Sequence, residues 1–335
     1  MTNISQFGII PSTNQKIFNC ELINTHGMRV SIINYGAIIR SIELPDENQN
    51  LNVVLGYDTL EQYLLDGHFV GAQIGPLSNR ISNSGFSKEG YTWKFKPNEG
   101  TNLLHGGELG FHNQVWEIEQ ADDTSAVLKL DYDFKSIDQS TRISSRIYFK
   151  LDDQNCISIE MEATANLFFP FNLTRHEYFN LNGGGDILNH QLQLNAHSYT
   201  PVDKGLIPEG KIVQIENTPY DFRVPKSIRE AISQLNSDCC PLDAFDNNLV
   251  LNGNNSFAAR LVSDNQKWTL EISTTQPCLQ FYTGHGLDNG HQPFSGLCLE
   301  AQGFPDGPNQ ITFPQNFYDS NKRYNQSISY TFLNQ

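Results

Sequence analysis

The amino-acid sequence predicts an all-β sandwich or barrel, and three observations lead there. Apolar and polar side chains alternate at the two-residue strand period in segments spread from one end of the chain to the other. Turn-forming clusters separate those segments. Helical periodicity is scarce, whereas a parallel sheet would need helical crossovers between its strands.

In chain order, the alternation first shows in Leu128, Leu130, Tyr132 and Phe134, then in Ile157, Ile159, Met161 and Ala163. Trp268, Leu270, Ile272 and, near the C-terminus, Ile328, Tyr330, Phe332 repeat it. Each reads as a strand with one buried face, because successive side chains of a pleated backbone point to opposite sides. Asn98-Glu-Gly100, Asn182-Gly-Gly-Gly185 and Asp306-Gly-Pro308 read as turns. One helix is predicted from Ser227 to Leu235, with Ser227 and Glu230 as a capping box ahead of Ile232 and Leu235. A shorter helical turn is expected after Asp58. No linker, low-complexity tract or internal repeat interrupts the 335 residues, so 1–335 read as a single domain.

Composition narrows the function. A formal charge of −15 without any basic stripe argues against nucleic acid and against an anionic membrane surface. No apolar stretch approaches the roughly 20 residues of a membrane span, and the N-terminus lacks a secretory signal pattern. The six cysteines, Cys239 and Cys240 adjacent among them, form neither a disulfide framework nor a zinc-type pair, so reduced thiols in a cytoplasmic protein are expected.

Phosphate-binding loops are missing: there is no GxxxxGK[ST], and Gly183 to Gly185 lack the spacing of a dinucleotide fingerprint. HExxH, EF-hand and GxSxG patterns are missing too. His285 and His291 flank a glycine-rich segment but have no third ligand beside them, and both read as loop residues. Neither metal nor other cofactor is expected. The stronger signals are polar residues inside apolar runs. His176 sits among Leu173, Tyr178, Phe179 and Leu181, and Glu300 ends an apolar run from Gly296. Desolvated titratable groups of this kind gather at active sites. From the residues alone, Glu300 reads equally as a structural ion pair, whereas for His176 a structural hydrogen-bonding role is the favoured reading.

Taken together, the motifs resemble the aldose 1-epimerase (galactose mutarotase) family along nearly the whole chain. The resemblance runs through Asn34-Tyr-Gly-Ala37, Val54-Leu-Gly-Tyr-Asp-Thr-Leu-Glu-Gln-Tyr63, Asn79-Arg-Ile81, Asn102-Leu-Leu-His-Gly-Gly107 and Asn172 to Leu181. It resumes at Asp246-Asn-Asn-Leu-Val-Leu251, Gln280-Phe-Tyr-Thr-Gly284 and Cys298-Leu-Glu-Ala-Gln-Gly-Phe-Pro-Asp306. It implies the family's large antiparallel β-sandwich with few short helices. It also implies a cofactor-free isomerase that opens and recloses the ring of a free hexose such as glucose or galactose. By the same resemblance His176 is the general acid and Glu300 the general base, while Asn79, Arg80, His105, Asp246 and Gln280 hold the sugar. Trp93 and Trp116 read as packing residues ahead of sugar stacking.

Three departures from the family pattern bear on the pocket rim. Pro76 stands where the family has an arginine, Arg175 stands where it has an asparagine beside the histidine, and the segment between Gln280 and Glu300 is short. Two rival readings stay open: a hexose-6-phosphate 1-epimerase, with Arg175 as one phosphate ligand, and a non-catalytic carbohydrate-binding protein. The expected partner is a small sugar, and the expected assembly a monomer or weak dimer.

Overall fold

The computed structural model describes residues 4–46, 49–235, 242–253, 256–314 and 317–335. Cys239 and Cys240 lie outside the described residues. Among the described residues, antiparallel sheets dominate, as the alternation predicts. The largest has nine strands. Its long members are Ser125–Lys135, Ser140–Leu151, Cys156–Ala165, Trp268–Thr274 and Tyr324–Asn334. They pair in continuous register, Leu128 opposite Ile147 and Ile159 opposite Ile328. The apolar members of each alternating set turn inward: Leu128, Phe134, Ile147, Ile159, Met161, Ile272 and Tyr330 all lie in one core. Trp93 and Trp116 belong to that core as well, stacked on Phe95 and edge-on to Phe111 respectively.

A five-stranded sheet carries the Asp246, Gln280 and Glu300 motifs, in the order Val213–Gln214, Ala196–Tyr199, Asp246–Leu251, Cys278–Tyr282, Cys298–Gln302. A second five-stranded sheet comes from the N-terminal segment, Ile4–Ile10 to Leu51–Asn52. Cys298–Gln302 shows no alternation because both of its faces are covered and all its residues are buried. A strand covered on both sides reads as a continuous run.

Helices are short. Ile228–Ile232 is the core of the predicted Ser227 helix, and Ser227 caps it by accepting from the Glu230 amide at 3.2 Å. The reciprocal arm of the predicted capping box is not among its bonds; instead Ser227 pairs with Gln191 at the edge of the large sheet. The full box occurs in the other helix, Leu60–Leu64, where Thr59 and Gln62 cap each other's backbone. No helix among the described residues is long and apolar enough to cross a membrane.

Candidate active site

Register brings the first residues together. Glu300 lies directly opposite Gln280, and Asp246 opposite Tyr282, on neighbouring antiparallel strands. Paired residues share a face, so these side chains rise from one patch of the five-stranded sheet. The remaining wall comes from loops. Gln73–Ile74 pairs with Thr174–Arg175 and delivers His176, while Arg80–Ile81 pairs with Leu103–Leu104 and delivers Arg80 and His105. Asn79 and His105 both adopt positive φ, 58° and 53°, a left-handed conformation uncommon for residues with a Cβ. They stabilise each other there: His105 N donates to Asn79 O at 3.1 Å, and Asn79 N donates to His105 Nδ1 at 3.2 Å.

These elements enclose a cavity of about 310 Å³ lined by Asn79, Arg80, Glu99, His105, His176, Asp246 and Glu300, with Phe69, Tyr178 and Tyr282 as aromatic wall. That volume is at the small end for ligand pockets and suits a monosaccharide better than a nucleotide. Of the expected site residues, six line the cavity. Gln280 lies beneath it, donating to Asp246 Oδ1 at 2.7 Å and accepting from Gln302, so it acts on the site through Asp246. The lining also includes His68, Phe69, Glu99, Tyr178, Tyr282 and His285, which the sequence reading did not place in the site. Glu99 comes from the predicted Asn98 turn. His285 is half-buried in the cavity wall rather than a solvent loop residue, and His291 packs its ring on Tyr57 at 4.8 Å.

His176 and Glu300 face each other on the floor of the cavity, Nε2 to Oε1 3.8 Å apart, with side chains 5% and 3% exposed. Glu300 Oε2 is buried without a protein partner. Burial raises the Glu300 carboxyl well above the ordinary carboxylate range; Asp246 adds to the rise and Arg80 opposes it. Burial lowers the His176 imidazole to about 3. Its Nδ1 lies 3.5 Å from the Cys298 thiol, a weak acceptor that does little to stabilise an imidazolium. Burial thus moves the two proton affinities toward and past each other, favouring the uncharged form of both the carboxyl group and the imidazole.

Donor atoms of His105, His176 and Glu300 lie within 4.8 Å of one another, the dimensions of a three-ligand cation site. Burial holds His105 neutral, and the Asn79 amide occupies its Nδ1, so its proton is on Nε2. A nitrogen that carries a proton is a hydrogen-bond donor and not a metal ligand. The cluster therefore suits hydroxyl oxygens better than a cation.

The family model described as aldose 1-epimerase matches residues 19–331. The chain belongs to the aldose 1-epimerase family. It is 33% identical to an Escherichia coli aldose 1-epimerase over 93% of its own length and 94% of the relative's. With human galactose mutarotase it shares 32% identity over 97% of each chain. An aldose epimerase homologue from C. elegans superposes with a TM-score of 0.87 at 28% identity, covering 94% of this chain and 98% of that one. A galactose 1-epimerase from Lactobacillus acidophilus gives 0.86 at 26%, covering 100% and 99%. The protein is an isomerase of this family, with the family's antiparallel β architecture.

Two departures from the family pattern prove to lie away from the cavity. Pro76 sits under the loop that carries His105, with its carbonyl accepting from Asn172 N at 2.9 Å. Arg175 is not at the rim: it and Glu177 form an ion pair with both side chains fully buried. Arg175 Nε donates to Glu177 Oε1 at 2.8 Å, and its other nitrogens donate to the carbonyls of Ala37 and Gly71 and to Gln73. Tyr330 OH donates to the remaining Glu177 oxygen at 2.9 Å. In an extended segment the side chains on either side of His176 point away from it, so the pair anchors the segment from behind while the imidazole enters the cavity. Arg175 is thus corrected from candidate phosphate ligand to core residue.

Removing one partner of such a pair leaves an unneutralised buried charge, which costs roughly 3–5 kcal/mol. Arg175→Asn alone should lose about that much stability in urea unfolding, and adding Glu177→Ser should recover most of it. A single variant as stable as the parent would show that the pair does not hold this segment.

Proposed function

We propose that this chain interconverts the α and β anomers of free, uncharged aldohexoses such as galactose and glucose, with Glu300 and His176 exchanging protons with the sugar. One observation carries the reading: a carboxyl group and an imidazole 3.8 Å apart on the floor of a sugar-sized cavity, with a buried carboxyl oxygen lacking any protein partner. In the empty site the pair shares one proton, held by Glu300. Sugar hydroxyls that donate to Glu300 Oε2 stabilise its ionised form and move that proton to His176, since hydrogen bonds to a carboxylate favour the charged state. Glu300 then removes the proton of the C1 hydroxyl, the C1–O5 bond breaks, and His176 delivers its proton to O5. The product is an open-chain aldehyde, with the proton back on Glu300. Rotation about C1–C2 and the reverse transfers close the ring as the other anomer.

The surrounding groups support binding. His105 offers an Nε2 proton, Asp246 offers carboxylate oxygens held by Gln280, and Asn79 has its side-chain oxygen engaged by Arg80 N at 2.8 Å, which leaves its amide hydrogens for the sugar. Arg80 suits the ring oxygen or a neighbouring hydroxyl. The hexose-6-phosphate reading is not favoured, because Arg175 is buried away from the cavity. A non-catalytic carbohydrate binder would not need the proton-sharing pair. We further place the protein in the cytoplasm, acting as one domain over 1–335 and as a monomer or weak dimer. Its acidic composition and the free thiols of Cys20, Cys156, Cys278 and Cys298 support that location.

Glu300→Gln and His176→Asn should each lower kcat by about 10²–10⁴-fold in a polarimetric assay with fresh α-D-galactose, the range general acid–base terms supply. KM should change little, because the hydroxyl-binding groups remain. A folded Glu300→Gln enzyme with the parent's rate would overturn the assignment.

The pH profile separates an inverted pair from an ordinary one. Two coupled groups give limbs that belong to the pair. The acidic limb marks uptake of a second proton and falls toward the lowered imidazole value of about 3. The basic limb marks loss of the shared proton and lies well above the ordinary carboxylate range. The acidic limb of kcat/KM should therefore lie below the ordinary carboxylate value of about 4.3. An acidic limb at or above that value would contradict the lowered imidazole.

A further inference from the structure

Glu99 came from the sequence as an unremarkable turn residue, yet its carboxylate faces the one arginine that lines the cavity. Arg80 Nε donates to Glu99 Oε2 at 2.6 Å and Nη2 donates to Oε1 at 2.7 Å, a two-pronged pairing. The remaining nitrogen, Nη1, lies 3.6 Å from Asp246 Oδ2. Arg80 is 9% exposed and Glu99 36%, so Glu99 sits on the mouth side of the guanidinium. Its turn is tied down: Asn98 exchanges hydrogen bonds with both backbone groups of Leu104, and Glu99 with those of Asn102.

The edge of a guanidinium with two parallel N–H groups is the protein's usual receptor for a carboxylate or phosphate. Here a carboxylate from the chain itself fills that edge. No lysine or second arginine lines the cavity among the described residues, and burial keeps His105 and His176 neutral. An anionic sugar entering this space meets Glu99 and Asp246 and finds no cation that is not already paired.

We infer that Glu99 is a specificity-determining residue: by occupying the anion-binding edge of Arg80 it restricts the pocket to uncharged sugars and excludes uronates and sugar phosphates. The inference rests on the reading of this cavity as the sugar site and adds the substrate's charge class to it. Glu99→Gln removes the charge while keeping shape and one hydrogen bond, and Glu99→Ser frees the guanidinium edge altogether.

The test compares kcat/KM for galactose with that for galacturonate and for galactose 6-phosphate, in the parent and both variants, by polarimetry. The ratio of anionic to neutral substrate should rise by about 10- to 100-fold in the variants, as expected for removing one charge a few ångströms from the ligand. Using the ratio cancels any general loss of activity. In the unmodified enzyme, competitive inhibition by galacturonate should be weak at low ionic strength and tighten as salt screens the repulsion. A ratio that stays constant while galactose is still turned over overturns the role of Glu99 alone. So does galacturonate inhibition that weakens with salt. Failure of the unmodified enzyme to act on galactose would instead overturn the underlying mutarotase reading.

Discussion

Desolvation of Glu300 and His176 is the constraint on which the site depends. A carboxyl group in water holds its proton about two pH units less tightly than an imidazole does. Burial penalises charge on both groups and so pushes their affinities in opposite directions until the order inverts. A pair in that condition carries one proton with little preference set by bulk pH. That suits a reaction whose two halves need the proton moved in opposite senses across the same sugar. Much of the surrounding architecture keeps water away from these two groups while leaving room for a hexose.

The sheets do this from below and behind. Cys298–Gln302 is covered on both faces, which is why Glu300 is buried although its strand lies at the end of the five-stranded order. Arg175 and Glu177 hold the segment that carries His176 against the backbone of Ala37 and Gly71 and against Tyr330 of the large sheet. Phe69, at a φ of 59°, sets its ring 4.7 Å from His105 and 5.7 Å from His176, and so closes the cavity between the two imidazoles. Asn79, His105 and Phe69 all hold left-handed backbone beside the cavity, a conformation that the surrounding structure has to fix.

The strands were legible because one-sided burial writes itself as alternation, and Leu128 to Phe134 or Ile157 to Ala163 need no further context. Asn79, Arg80, His105, His176, Asp246 and Glu300 were legible as motifs, through family resemblance, since nothing in their local spacing says that they meet. What remained hidden depends on register and side-chain direction. Glu99 looked like any turn glutamate because its partner lies 19 residues earlier. Arg175 looked like a rim residue because sequence adjacency to His176 does not say which side of the segment it faces. Gln280 matched a binding motif, but both ends of its side chain are engaged below the cavity by Asp246 and Gln302. The inverted proton affinities were likewise beyond reach, since they follow from how completely the two groups are buried.

Infrared difference spectroscopy of the ligand-free enzyme against Glu300→Gln at pH 7 tests the central claim most directly. It reports whether this one carboxyl group carries a proton. An inverted pair predicts a protonated-carboxyl band that vanishes in the variant and is replaced by a carboxylate band when galactose is added. A carboxylate signal from Glu300 in the empty enzyme at that pH would contradict the account.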